Sequence, residues 1–243
     1  MSKPSTNFLS IVILGLCVSS GIAAAGYFVG QMMYNAKVAL NTAEVKGLSE
    51  RRVRANRANW SMEFNIAGNK KGQIPALYKQ MEENRDRIVE LLKKDGFDDD
   101  EIKTGVIDYF YREYRDENQT LVDQSHALRG TVNVETDKVD LIEKVRGNIN
   151  KLIAEGISIQ NRMPKYYFTN LNEIKPDMLK EATQNAKVAA NEFAESAGAK
   201  VGRIRSARQG GFIIRDAGEE YGDTQKIEKD VRVVTTISFY LTD

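Results

Sequence analysis

From Phe8 to Val29 the chain reads FLSIVILGLCVSSGIAAAGYFV, with no side chain that is charged at neutral pH, and beyond Asn35 apolar and polar residues interleave. Roughly 22 residues at 1.5 Å each cover the ~30 Å hydrocarbon core of a bilayer as a single helix. The pattern therefore predicts one membrane pass followed by one large head. Within the head, the apolar period switches repeatedly between two and about 3.6, which signals mixed strands and helices. Trp60, Met62, Phe64 and Ile66 alternate with Ser61, Glu63 and Asn65 as a strand with one buried face, and Gly68, Asn69 and Gly72 mark a turn. Ile74, Leu77, Tyr78, Met81, Ile88, Leu91 and Leu92 form one helical stripe, with Lys93 and Lys94 suited to the C-terminal dipole and Gly96 to the cap.

Val106 to Tyr114 is aromatic and β-branched enough for a strand, and Leu128, Gly130, Val132 and Val134 alternate as the next one. The polar stretch from Arg115 to Gln124 reads as the loop between them. Asp137 is placed to cap a helix carrying Val139, Ile142, Val145, Ile149 and Leu152, which Gly156 ends, and Ile157 to Met163 reads as a short strand. A third helix is expected with Pro176 in its first turn and Gly198 at its end. Its inner face reads Leu179, Ala182, Ala186, Ala190, Phe193 and Ala197, small residues that permit close packing, so Ala182, Ala186, Ala190, Phe193 and Ala197 form a candidate packing or oligomer surface. Lys200 to Ile214, broken by Gly210 and Gly211, precedes a last strand of strict period two, Val231 to Leu241. This order of elements predicts an α+β head, helices packed on a largely antiparallel sheet, preceded by one transmembrane helix.

The expected boundaries are a short tail at 1–7, a membrane helix at 8–33, a juxtamembrane linker at 34–43 and a head domain at 44–243. Phe8, Ile11, Leu14, Val18, Ile22, Gly26, Val29 and Gly30 carry the anchor; Gly26 and Gly30 form a GxxxG pair, common in membrane helices in any case. Ala23, Ala24 and Ala25 would also suit signal peptidase. Apolar character continues through Tyr27, Phe28, Val29, Met32 and Met33, longer than an h-region of about 7 to 15 residues, which favours a retained anchor over cleavage after Ala25. Lys3 precedes the span while Lys37 and Lys46 follow it, so the positive-inside rule sets no orientation.

Charge narrows the function classes. Lysine and arginine number 35 against 34 acidic residues, a net charge of +1, which argues against a surface built to neutralise nucleic-acid phosphates. Arg51, Arg52, Arg54 and Arg57 are the densest basic group and read as a solvated strand. The one cysteine lies in the apolar run and the one histidine is His126, so the head lacks the residues for a Cys/His zinc site or nucleophile pair. His126, beside Ser125, reads as a solvated hairpin residue. The acidic run Asp98, Asp99, Asp100 and Glu101 lacks calcium-loop spacing and reads as turn chemistry. Neither Gly68–Gly72 nor Gly210–Gly211 has phosphate-loop spacing. No catalytic, cofactor or metal residue is expected.

The run DMLKEATQNAKVAANEFAESAGAKVGRIRSARQGGFIIRDAG, followed by KDVRVVTTISFYL, resembles the SIMPL-domain, YggE-like family. The shared features are the Ala-rich helix at Ala182–Ala194, the G-x-K-x-G-x-I entry at Gly198–Ile204 and the closing strand at Val231–Leu241. GYFVGQMMYNA and VKGLSERRVRANRANWSMEF resemble the family's membrane-anchored branch, whereas residues 70–168 agree only in the pattern of elements. The resemblance implies a bacterial inner-membrane protein with its C-terminal domain in the periplasm. It further implies a SIMPL-domain fold, ring- or cage-like homo-oligomers, no enzymatic activity and no cofactor, and a structural role in the envelope linked to oxidative and envelope stress. The alternative is a periplasmic binding module or transport accessory that captures a small or lipidic ligand against Tyr109, Phe110, Tyr111 and Tyr114.

Overall fold

A computed structural model describes residues 8–38 and 41–242; the expected tail at 1–7 and residues 39–40 of the expected linker lie outside them. The elements run α1 (Phe8–Val38), β1 (Thr42–Arg54), β2 (Arg57–Gly68), α2 (Ile74–Lys94), β3 (Ile102–Thr104), β4 (Asp108–Arg115) and β5 (Leu121–Thr136). There follow α3 (Val139–Val145), α4 (Ile149–Ala154), β6 (Ser158–Asn161), β7 (Lys165–Tyr167), α5 (Leu171–Ser196), β8 (Lys200–Gln209), β9 (Ile213–Asp216) and β10 (Glu228–Thr242). The architecture is α+β with antiparallel sheets.

The helix α1 does not end at residue 33. Tyr34 to Val38 contains neither glycine nor proline, so the helix continues to Val38 and strand begins at Thr42, which leaves little of the expected linker. Its segment Ser10–Ala36 has a mean hydropathy of 2.0 and none of it is buried within the protein. That is long and apolar enough for one membrane span, a description a secretory signal sequence also meets.

The described residues divide into two compact units. The first takes the described residues up to Ser49, Leu179–Gly211 and those from Val233; the second takes Glu50–Met178 and Phe212–Arg232.

In the second unit the sheet order is β3-β5-β2-β6, with β4 on β5 and β7 on β2, all antiparallel. The register Trp60↔Val134, Met62↔Val132 and Phe64↔Gly130 puts the alternating apolar residues of both strands on one face. Met81, Ile88 and Leu92 of α2, with Ile142, Ile149 and Leu152, complete that core, each at most 4% exposed. Each such large side chain contributes about 1.5–3 kcal/mol by burial. Gly130 is required here by space, since a Cβ at that position would come within 2.5 Å of the Phe64 ring. The helix α2 closes at Gly96, φ +107°, as its sequence suggested.

Asp137 does not cap a helix. Lys138 occupies the N-cap of α3 without a side-chain cap bond, and its amide is held instead by Thr136 Oγ1 at 2.8 Å. The expected single helix breaks into α3, a 3-10 turn at Arg146–Asn148 and α4.

Pro176 lies inside α5 rather than in its first turn. Asn172 and Pro176 are both exposed, so the carbonyl that proline leaves without a donor is open to solvent.

The first unit is built differently. Strand β8 pairs antiparallel with Thr235–Thr242 of β10, and α5 packs Ala186 and Ala190 against Ile237 and Phe239, with Val45 and Val201 beside them. The buried line along the helix is Ala182, Ala186, Ala190 and Ala194; the spacing of four puts Ala194 where Phe193 was expected, and Phe193 is 57% exposed, with Ala197 also exposed. The helix lies so close to β1 that a Cβ on Gly47 would fall 1.8 Å from the Ala182 carbonyl oxygen. On either side of that contact, Ser49 Oγ donates to Glu181 Oε2 at 2.9 Å and Asn185 Nδ2 donates to the Leu48 carbonyl at 2.8 Å.

Candidate functional site

The strand β4 is exposed along its whole length, although half of its residues are aromatic. Its register with β5 runs from Asp108↔Arg129 to Tyr114↔Asp123 and Arg115↔Leu121, while that of β2 with β5 stops at Gly68↔His126. The rungs from Arg112↔Ser125 onward are therefore a two-stranded ribbon that runs past the end of β2. Asp116 sets its turn by accepting the amides of Asn118 and Thr120 at 2.9 and 2.8 Å, and Gln119 takes φ +61°. Half of the loop expected over Arg115–Gln124 is thus strand, with 116–120 as the turn.

Strand alternation divides the aromatic group proposed for ligand capture. Tyr109 and Tyr111 share a face with His126, and Phe110 and Tyr114 lie on the other. His126 is not solvated: it is 3% exposed, its ring lies 5.0 Å from that of Tyr111, and its Nδ1 is 2.7 Å from the Tyr109 hydroxyl. Its Nε2 is buried without a hydrogen-bond partner among the described residues. The Tyr111 hydroxyl donates to Glu113 at 2.9 Å, which raises the phenol's pKa, while hydrogen bonds from Arg115 hold the Glu113 carboxyl below its usual range. On the opposite face the Arg129 guanidinium covers Phe110, 4.9 Å from the ring centre. The cavity beside Phe110, Arg112, Tyr114 and Arg129 measures about 230 Å³, below the usual range for a ligand pocket.

The other face of the second unit's sheet is polar. Glu63, largely buried, accepts from Arg162 at 2.7 Å and Arg129 at 2.9 Å. The Arg162 bond outweighs desolvation and holds the Glu63 carboxyl below its usual value. Beside it a groove of about 410 Å³ is lined by Asn59, Asn133, Glu135, Lys165 and Tyr167 among others. Glu63, neutralised by two cations, is unsuited to donating a proton.

The remaining charged motifs are internally satisfied. Arg52 bonds Asp230 at 2.9 and 3.1 Å, and Arg54 reaches Asp140 and Glu228, so these two arginines do not form an open anion site. The acidic run after α2 is a turn closed by Lys138, which bonds Glu101 at 2.8 Å and Asp98 at 2.5 Å. Burial pushes the Glu101 carboxyl up, but bonds from Lys138, Thr136 and the Asp98 amide outweigh it and lower its pKa. No cluster of metal-ligating side chains occurs among the described residues.

Among the residues picked as a packing or oligomer surface, Ala182, Ala186 and Ala190 are fully buried inside the first unit. The β4 arm of the ribbon was expected as strand, whereas its β5 arm lacked a sequence signal, apart from the adjacent apolar pair Leu121–Val122 within a polar run.

Curated protein sequences provide no match to this chain. A model of the SIMPL family, described as a protein of unknown function (DUF541), matches residues 43–239, from the first buried residue of β1 to the last buried one of β10, and the chain belongs to that family.

Proposed function

We propose that this is a membrane-anchored bacterial envelope protein whose periplasmic head self-associates into a closed homo-oligomer with a structural, non-enzymatic role, including in envelope and oxidative stress. One observation supports it above the others: the ribbon of β4 and β5 carries Tyr114, Leu121 and Val122 at 50, 44 and 68% exposure. A two-stranded ribbon is marginal in water unless another surface covers it, and exposed apolar side chains on such an element mark a contact site. A second copy of the chain is always present to supply the cover. Ligand capture on the aromatic strand has less support, because its rings lie on opposite faces.

Full-length protein in mild detergent is expected to run as a multiple of the protomer mass by native mass spectrometry at micromolar concentration. Leu121→Ser with Val122→Ser should weaken assembly about tenfold or more, since two apolar contacts are lost. A monomer at that concentration would remove the reading. The anchor is tested separately: N-terminal sequencing should begin at Met1 or Ser2, whereas a start at Gly26 would identify a cleaved signal.

A further inference from the structure

The ribbon and a second exposed strand carry opposite charge, and we infer that they meet between copies: the tip of the β4–β5 ribbon of one copy docks on β8 of the next. This rests on the self-association reading and names the surfaces that carry it. Strand β8 holds Lys200, Arg203, Arg205 and Arg208 and no carboxylate. It is an edge strand, paired with β10 alone, and every side chain from Arg203 to Gln209 is exposed. Arg203, Arg205 and Arg208 make no hydrogen bond or ion pair with any described residue, unlike Arg52, Arg54, Arg87, Arg115, Arg129 and Arg162, which all have carboxylate partners. Between two of these free arginines lies Ile204, 53% exposed.

The ribbon tip has the complementary pattern. From Asp116 to Gln124 it carries Asp116, Glu117 and Asp123 and no cation. Arg115, the nearest guanidinium, is occupied by Glu113 and by the Gln119 carbonyl. Along the sequence, Leu121 and Val122 lie between these carboxylates as Ile204 lies between arginines. An edge strand with unpaired cations resists adding a second copy of itself, and an acidic tip repels another acidic tip. Each surface thus disfavours its own kind and favours the other. A contact between two different patches is heterologous, and a heterologous contact with a closing rotation generates a ring.

Charge exchange in the full-length protein in detergent, read by native mass spectrometry, tests the docking. Arg203→Glu with Arg205→Glu and Arg208→Glu should lower the assembled fraction about tenfold or more, and so should Glu117→Lys with Asp123→Lys. Asp116 is left intact because it holds the turn. Combining the two sets in one chain should restore assembly. A second measurement needs no charge change: in a Cys17→Ser background, Val122→Cys and Ile204→Cys are placed on differently tagged, co-expressed chains and treated with a short bismaleimide. The expected product is a covalent dimer bearing both tags. Wild-type protein that is monomeric would remove self-association and docking together. A wild-type oligomer that persists in both reversed variants and gives no mixed-tag dimer would overturn the docking alone, as would folded variants whose combination stays monomeric.

Discussion

Replacing Gly47 by alanine is expected to destabilise the first unit by about 2–4 kcal/mol, and by valine to prevent α5 from docking there at all. The new Cβ would lie 1.8 Å from the Ala182 carbonyl oxygen, 2.5 Å from the Ala186 nitrogen and 2.8 Å from the Ala186 Cβ. Two of these three are helix backbone atoms, which no rotamer change can move aside. To restore normal contact the helix must retreat by roughly 1.5 Å, and a gap of only 0.5–1 Å already forfeits about a quarter to a half of the dispersion well at every facing atom. The loss matters more here than in the second unit, because the buried line of α5 is alanine and carries little apolar area of its own. Hydrogen exchange of the amides in 179–196 measures this directly, and Gly47→Ala should lower their protection. Val188→Ala, at a position 58% exposed on the same helix, should leave it unchanged. Equal protection in wild type and Gly47→Ala would show that the close approach is not a determinant of stability.

The close approach was partly legible in the sequence. Alanines at 182, 186 and 190 have the helical period and announce tight packing, but nothing in the sequence pairs them with Gly47, which lies far away along the chain. Period two located β2 and β10 because each buries alternate residues on one face. It missed the outer half of β5, whose rungs are held by hydrogen bonds to β4 with both strands exposed, so no apolar alternation records them. His126 was misread for a related reason: its burial comes from Tyr109 and Tyr111 across the ladder, not from neighbours in sequence. The partners of Arg52 and Arg54, at Asp230, Asp140 and Glu228, likewise lie far along the chain. In each case the missing information is which distant segments meet, and for strands in which register, which local composition does not encode.

The second large effect is expected at Lys229. Its side chain is fully buried, and Nζ donates to Asp216 Oδ1 and to the Asp223 carbonyl at 2.8 Å. Asp216 also accepts the amides of Gln225 and Lys226 at 2.8 and 3.0 Å, so the pair ties the loop before β10 to the end of β9. Lys229→Ala would leave a buried carboxylate without its cation, at a cost of about 3–5 kcal/mol. Lys229→Met combined with Asp216→Asn should cost less, since methionine fills the space, no charge is left buried and asparagine keeps an acceptor for one of the two amides. Acid separates the variants further. Burial pushes the Asp216 carboxyl up, but Lys229 and the two amides outweigh it and hold its pKa below the ordinary value of 3.8. A carboxyl depressed in the folded state contributes in full above its unfolded pKa of about 4 and loses that contribution as pH falls toward the folded value. Glu63, Glu101 and Asp230 are depressed as well, so acid weakens every variant, and the difference between wild type and the Met/Asn double variant isolates the pair. Trp60, the one tryptophan, is buried in the same unit and reports urea unfolding there. Between pH 7 and pH 3 the wild-type free energy of unfolding should fall more steeply than that of the double variant. Parallel slopes would mean that Asp216 has the same pKa folded and unfolded, and that Lys229 acts through packing alone.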